Sequence, residues 1–197
     1  MFSGIVQTAQ KAKKIDHDGN SMRVQFAVPA GFRISAGDSI CVDGVCSTVE
    51  KKTGSNFFVY YMPETLRKTT FGVISSSHTF NLEQSLTLQS LIGGHLVSGH
   101  VDTTSKLISV AAEQDAKVLK FSINKKFTKY IIYKGSIAVN GASLTVVSVD
   151  DDSFTVSLIP YTLEHTNLGR LKIEDKVNVE VDMIAKYLEK LQASFNQ

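Results

Sequence analysis

The chain has 197 residues, 43% apolar and 20% charged, enough for one large domain or two of about 100 residues with separate cores. Its formal charge of +2, from 21 basic and 19 acidic residues, gives no electrostatic case for nucleic acid or an anionic membrane. No apolar run approaches the roughly 20 residues of a membrane span.

The N-terminal stretch MFSGIVQTAQKAKK has no charged region ahead of an apolar core. It does not read as a signal peptide, so Phe2 and Ile5 are expected to fold with the rest. SMRVQFAV, DSICVDGV, STVEKKT and NFFVYYM follow. They are short, rich in branched and aromatic residues, and separated by polar clusters such as DHDGN and TGSN, as strands are. TLRKTT can make one or two helical turns. The second half runs KLISVAA, KVLKFSI, SIAVNG, SLTVVSV and SFTVSLI, split by AEQDA and DDD, with TLEHTN as a second short helix. Strands at this spacing suggest small antiparallel barrels, closed or nearly so, which protects their edges. Asp43-Gly44 and Asn140-Gly141 fall at matching tight turns. Finally, MIAKYLEKLQASF places Ile184, Leu188 and Leu191 at helical spacing. So short a helix is marginal alone; it either packs back on the barrel or pairs with copies of itself in an oligomer, the second being the favoured expectation. Gly93 and Gly94 loosen the chain between the halves. The expected division is a barrel over 1–94, a barrel over 95–184 and an oligomerisation helix over 185–197.

Cys41 and Cys46 have no other cysteine partners. On one extended strand, a rise of about 3.3 Å per residue would hold them too far apart for a disulfide. Free thiols and no export signal point to the cytosol.

The halves are copies. GDSICVDGVCSTV, from Gly37, returns as KGSIAVNGASLTV, from Lys134, ninety-seven residues later, with six of thirteen positions identical. PETLRKTTFG returns as PYTLEHTNLG and FNLEQ as VNVEV at the same offset. FSGIV returns as VSGHV at an offset of ninety-five. Ordered blocks at near-constant spacing mean a duplication, and a period this long means two homologous domains rather than a solenoid.

Several chemistries are missing from the pattern: there is no CxxC, HExxH, Walker loop or GxSxG. Of five histidines only His95 and His100 are close in sequence, in GGHLVSGH, without the spacing of a metal site. The copies themselves are more informative. Where they agree, a residue holds the fold or a shared ligand; where they differ chemically, two pockets have diverged. Ile5 matches His100, Cys46 matches Ser143, and Ser85 matches Asp182. The first half thus gains a thiol, the second an imidazole and a carboxylate. Each has a plainer reading beside the chemical one: Cys46 as core packing, His100 as a turn ligand, Asp182 as the cap of the following helix. Ser39 with Ser136, and Thr48 with Thr145, are symmetric hydroxyls. Lys134 has no basic counterpart at Gly37.

Taken in order, MFSGIV, GDSICVDGVCSTV, PETLRKTTFG, GGHLVSGHVD, YKGSIAVNGASLTV and VNVEVDMIAKYLEKL resemble the riboflavin synthase family over nearly the whole chain. The resemblance implies an all-β fold of two homologous six-stranded antiparallel Greek-key barrels plus a C-terminal helix that helps form a homotrimer. It implies a cytoplasmic transferase that needs no metal or redox cofactor. Its reaction takes two molecules of 6,7-dimethyl-8-ribityllumazine to riboflavin and 5-amino-6-(D-ribitylamino)uracil by four-carbon transfer. Each barrel binds one lumazine, and the working site joins the N-terminal barrel of one subunit to the C-terminal barrel of its neighbour. Lumazine synthase is a partner that the resemblance brings into consideration.

Carried over by position, Phe2, Ser39 and Cys46 match the family's N-terminal pocket, and His100, Ser143, Thr145 and Asp182 its C-terminal pocket. Lys134 matches a lysine that reaches lumazine from a neighbouring chain. Gly4, Ile5, Val6, Cys46, Ser47, Thr48, Tyr60, Tyr61, Met62, Pro63, Glu64 and Thr65 are expected to cradle the first ring. Gly99, His100, Val101, Ser143, Leu144, Thr145, Leu158, Ile159, Pro160, Tyr161, Thr162 and Leu163 are expected to cradle the second. His100 is expected to move the proton, Cys46 or Ser39 to assist nucleophilic addition or polarise the ring, and Asp182 to orient His100 or stabilise a cationic intermediate. The chain departs from the family at Ser3, Asp43 and Ser47, where Thr, Asn and Leu are usual, and at SSSHTFNLE, which lacks the usual Gly-Asp turn. The rival reading is a non-catalytic lumazine or flavin antenna of the same fold, which needs only one working pocket. A generic contact module would not explain polar differences confined to matching positions.

Overall fold

A computed structural model describes residues 1–195; Asn196 and Gln197, the end of the expected terminal helix, lie outside the described residues. The second half forms a closed barrel. Its strands are β8 (Thr103–Glu113), β9 (Ala116–Ser122), β10 (Ser136–Val139), β11 (Ala142–Val149), β12 (Ser153–Leu158) and β13 (Lys176–Val181), in the order β10-β11-β12-β9-β8-β13.

The first half has the same arrangement with one strand broken. Its strands are β1 (Thr8–Lys11), β2 (Lys14–Asp18), β3 (Ser21–Ala27), β4 (Ser39–Val42), β5 (Val45–Thr53), β6 (Asn56–Tyr61) and β7 (Thr79–Gln84), in the order β1-β7-β4-β5-β6-β3-β2. β1 and β2 together match β8. The break at Ala12 and Lys13 coincides with the register shift between Leu107 and Ser109 in β8, so both copies kink the first strand at the same point. Each barrel fills with its own apolar cluster, around Phe26, Phe57, Phe71 and Phe80 in the first and around Leu107, Phe121, Phe154 and Val179 in the second. Two short helices, α1 (Pro63–Lys68) and α2 (Pro160–His165), start on a proline whose fixed φ suits a first helical turn.

The tight turns fall where expected. Asp43 and Gly44 have φ of 46° and 81°, Asn140 and Gly141 of 44° and 76°, the left-handed pair that a two-residue hairpin demands. That hairpin overturns the picture of Cys41 and Cys46 on one extended strand. The turn folds the chain back, and they are direct cross-strand partners, both free thiols.

The two turns meet at the seam between the barrels. A Cβ on Gly44 would lie 2.9 Å from the Gly141 nitrogen, and one on Gly141 2.8 Å from the Gly44 nitrogen. Around this contact runs a buried network with pseudo-twofold symmetry. Thr70 N–H donates to Asn178 Oδ1 and Asn167 N–H to Asn81 Oδ1, at 2.8 and 2.7 Å. Asn178 Nδ2 donates to the Asp43 carbonyl and Asn81 Nδ2 to the Asn140 carbonyl, each at 2.9 Å.

Comparing the copies also explains the sequence's departures. Ser47 and Tyr61 share a hydrogen bond of 2.9 Å inside the first barrel, where the second has Leu144 and Leu158. Two polar groups satisfy each other where two apolar ones pack. Asp43 and the SSSH stretch are likewise one feature. His78 Nε2 lies 2.6 Å from Asp43 Oδ2, and Asp43 Oδ1 accepts from Asn81 N–H and Asn167 Nδ2, both at 2.8 Å.

Full burial pushes the Asp43 carboxyl up, and His78 and the amide donors only partly pull it back. Burial pulls His78 down, but the hydrogen bond and charge of Asp43 outweigh it and leave the imidazole raised above 6.5. His78 keeps 26% side-chain exposure and so part of its solvation, and it governs the pair near neutrality. Its contribution is full below pH 6.5 and fades as pH rises through the raised folded value. In His78→Gln, stability should drop by about 1.5–3 kcal/mol in mildly acidic buffer, as for other hydrogen bonds to charged groups, and by less in alkaline buffer. Denaturant titrations across pH check this; a pH-independent difference would mean that the pair is neutral.

Candidate functional site

The hairpins β4–β5 and β10–β11 present the chemistry. Strand alternation turns Val45, Ser47 and Val49 into the first barrel and leaves Cys46 and Thr48 on its outer face, with Ser39 opposite Thr48. The second hairpin repeats this with Ser143 and Thr145, Ser136 standing opposite Thr145. Each outer face carries a hydroxyl pair plus one differing nucleophile.

What covers these faces is not what the sequence implied. The segment 2–6 lies against the second hairpin, where Ser143 N–H donates to the Gly4 carbonyl at 2.8 Å, and Val6 packs on the second barrel's core. The segment 97–101 lies against the first, where Cys46 N–H donates to the Gly99 carbonyl at 2.7 Å, and Val101 packs on the first barrel's core. The grouping of residues 4–6 with Cys46, and of residues 99–101 with Ser143, is therefore corrected: each segment crosses to the other barrel. Buried carboxylates hold the crossings. Glu83 accepts from Ser3 N–H, Ser3 Oγ and Gly4 N–H at 2.7, 2.7 and 3.0 Å. Glu180 accepts from Ser98 N–H, Ser98 Oγ, Gly99 N–H and His100 N–H at 2.7–3.0 Å. Burial pushes both carboxyls up, against the pull of these donors.

The crossing redistributes the reactive side chains. His100 comes beside the strand that carries Cys46, and Ile5 beside the one that carries Ser143. Asp182 does not reach His100 by any hydrogen bond among the described residues. Its Oδ1 accepts from Ile184 N–H at 2.9 Å and caps α3 (Met183–Phe195), and its charge acts on His95. Phe2 is fully buried between the barrels with Val97, Cys41 and Ala138, and so is structural in this chain. Tyr61 and Leu158 likewise lie in the two cores.

The remaining expected contacts line the rims. Tyr60, Met62, Ile159 and Tyr161 are exposed apolar groups at the strand-to-helix turns, with Pro63, Glu64 and Thr65 in α1 and Pro160, Thr162 and Leu163 in α2. Ser39 and Ser85 line a cleft of about 710 Å³, and their counterparts Ser136 and Asp182 line one of about 440 Å³ beside α3. Lys134 is exposed on the adjoining turn, its Nζ 5.4 Å from the centre of the Tyr133 ring. Sequence reasoning passed over His95, whose Nδ1 lies 2.7 Å from Ser143 Oγ.

Gly4 and Gly99 make the crossings possible. They have φ of +75° and +81°, and a Cβ would stand 2.6 Å from Ser143 Cβ and 2.7 Å from Cys46 Cβ. Gly4→Ala should cost roughly 2–5 kcal/mol, left-handed strain plus overpacking. Gly19→Ala, at φ +58° with no atom within 4 Å, should show only the strain, about 1–2 kcal/mol. Urea titrations compare them; equal losses would mean that the crossing is loose.

Comparison with known proteins agrees with this geometry. The lumazine binding domain family matches twice, over residues 3–85 and 98–182. Riboflavin synthase of Actinobacillus pleuropneumoniae is 38% identical over 96% of this chain and 88% of its own. That of Mycobacterium tuberculosis is 40% identical over 98% and 99%. Crystal structures of LumP complexed with riboflavin and with 6,7-dimethyl-8-(1'-D-ribityl) lumazine superpose with TM-scores of 0.83 and 0.82 at 27% and 26% identity. Each covers 92% of this chain and 99% of its own. With two lumazine binding domains and such relatives along nearly its full length, the chain belongs to the riboflavin synthase family.

Proposed function

We propose that the chain catalyses the riboflavin synthase reaction, converting two molecules of 6,7-dimethyl-8-ribityllumazine into riboflavin and 5-amino-6-(D-ribitylamino)uracil. One observation carries the reading: two hydroxyl-lined faces on one scaffold that differ in their reactive side chains. Two identical substrate molecules that must play unequal roles need such a pair of sites. Holding them in register can remove up to roughly 7–11 kcal/mol of barrier in well-oriented cases.

In this reading the first site comprises Ser39, Cys46, Thr48, Tyr60, residues 62–65 and residues 99–101. The second comprises Ser143, Thr145, residues 159–163 and residues 4–6. The anion left by a lumazine methyl group delocalises into the conjugated ring, so a positioned base suffices to start the reaction. His100, exposed beside the Cys46 strand, is that base, and a nucleophile adds to a ring carbon of the other molecule. His100→Ala should lower kcat far more than it weakens lumazine binding; equal losses would remove the catalytic assignment.

The exposed rims and α3 support assembly, with the first site of one subunit facing the second site of a neighbour. Lys129, Tyr130 and Asp102 tie α3 to its own barrel through Glu189 and Lys186. Ile184, Leu188 and Leu191 remain 57–61% exposed, an apolar stripe suited to packing in a homotrimer. Leu188→Glu with Leu191→Glu should give monomers in sedimentation; an unchanged trimer would place the interface elsewhere. No described helix is long and apolar enough to cross a membrane, which accords with a cytoplasmic enzyme, and association with lumazine synthase belongs to the same reading.

Purified protein mixed with the lumazine, without metal or nucleotide, should yield green-fluorescent riboflavin and one equivalent of the aminouracil. Tight binding without product would favour an antenna protein.

A further inference from the structure

The β4–β5 hairpin carries a pair of thiols that the second barrel lacks. Cys41 and Cys46 are register partners across the two strands, and the matching pair in β10–β11 is Ala138 and Ser143. The backbone decides which kind of pair they make. Cys46 N–H donates out of the hairpin, to the Gly99 carbonyl at 2.7 Å. Asp43 N–H donates to the Asn81 carbonyl of β7 at 2.9 Å. Amide directions alternate along a strand, so Cys41 N–H faces β7 as well. Neither amide bonds across the pair. A non-hydrogen-bonded antiparallel pair brings its Cα atoms to about 4.5 Å, inside the roughly 4.4–6.8 Å that a disulfide spans. Direct partners also share one face of the sheet. There Cys41 joins Phe2, Val97 and Ala138 in the cluster between the barrels, and Cys46 packs against that cluster. Both thiols are free, Cys41 buried and Cys46 half-buried. Cys41 Sγ accepts the Gly44 N–H beside Gly141, on which a Cβ would stand 3.3 Å from the sulfur. Rotation to another staggered rotamer gives up that contact and aims the sulfur at Cys46. Burial pushes the Cys41 thiol well above its ordinary range, and the Glu83 charge adds to the rise. Cys41 therefore stays protonated, and Cys46 reacts first.

We propose that Cys41 and Cys46 are an oxidation site: a hydroperoxide joins them in a reversible disulfide that takes the Cys46 thiol out of the first site and stops turnover. The Cys46 sulfur bonds to one peroxide oxygen, the O–O bond breaks, and the leaving hydroxide takes the thiol proton. The Cys41 sulfur then bonds to the Cys46 sulfur, the S–O bond breaks, and the departing hydroxide takes the Cys41 proton. With hydrogen peroxide, two thiols become one disulfide and two waters. The sulfurs lose two electrons and the peroxide gains them. The loss of turnover rests on the lumazine reading above, whereas the formation of the bond does not. The second barrel cannot do the same, because alanine and serine stand at its matching pair.

The test treats wild type and Cys41→Ala with excess hydrogen peroxide. Free-thiol titration and non-reducing peptide mapping follow the bond, and riboflavin formation follows turnover. Cys41→Ala places in the first hairpin the residue that the second holds at Ala138, so before oxidation it should turn over as wild type does. Wild type should lose both thiols together, show the Cys41–Cys46 linkage within one chain, lose riboflavin formation, and regain it with dithiothreitol. Cys41→Ala should form no such linkage. Its Cys46 should pass on to sulfinic acid, which dithiothreitol does not reverse, so its lost turnover should not return. Thiols that persist in wild type, linkage only between chains, a linked protein with full turnover, or a Cys41→Ala that recovers as fully as wild type would each overturn the proposal. The wild-type mapping decides the bond by itself, whatever the stability of the variant. A wild type that links its cysteines but makes no riboflavin even when reduced would instead overturn the lumazine reading.

Discussion

The structure depends on a pair of crossings. Two short segments, 2–6 and 97–101, leave one barrel and lie on the strand of the other that carries Ser143 or Cys46. Each is held by a buried glutamate from the last strand of its own barrel, Glu83 or Glu180. A buried carboxylate is costly unless its oxygens are satisfied, and here three or four donors converge on each. Those donors are backbone groups of the crossing segment and a serine hydroxyl, so the carboxylate fixes the segment's path. The hydrogen bonds from Ser143 and Cys46 complete each crossing. Neither barrel can finish its outer face without the other half of the chain.

This arrangement gives a duplicated protein a way to diverge. Equal scaffolds supply equal hydroxyl pairs, Ser39 with Thr48 and Ser136 with Thr145. The crossings then deliver different side chains: residues 99–101 bring His100 beside the strand of Cys46, and His95, held against Ser3, meets Ser143. A single substrate can bind twice and meet two environments. The seam tolerates similar divergence as long as polar groups find partners, as the Asp43–His78 and Ser47–Tyr61 pairs do.

Much of the fold was legible because it is local. Alternating branched residues marked the strands, and Asp43-Gly44 and Asn140-Gly141 marked turns that only left-handed residues can make. The repeat at ninety-seven located both hairpins and both short helices. The crossings were not legible, because a repeat identifies equivalent segments without saying whether each packs on its own copy or the other. His100 was therefore grouped with Ser143 when it lies beside the Cys46 strand. His95 was missed because it lies in the linker, outside every repeated block, so comparison of the copies never raised it. Asp43 and His78 each stood out singly, and their pairing needed the seam; Ser47 and Tyr61 could have been found together, since both become leucine at the same offset.

The central claim is that both barrels keep a working cavity for the same ligand. It is tested most directly by counting the molecules of 6,7-dimethyl-8-ribityllumazine bound per chain at saturation, in rapid equilibrium dialysis before turnover depletes the ligand. Two unlike hydroxyl-lined faces require two bound molecules with unequal affinities. Saturation at one molecule per chain would contradict the account.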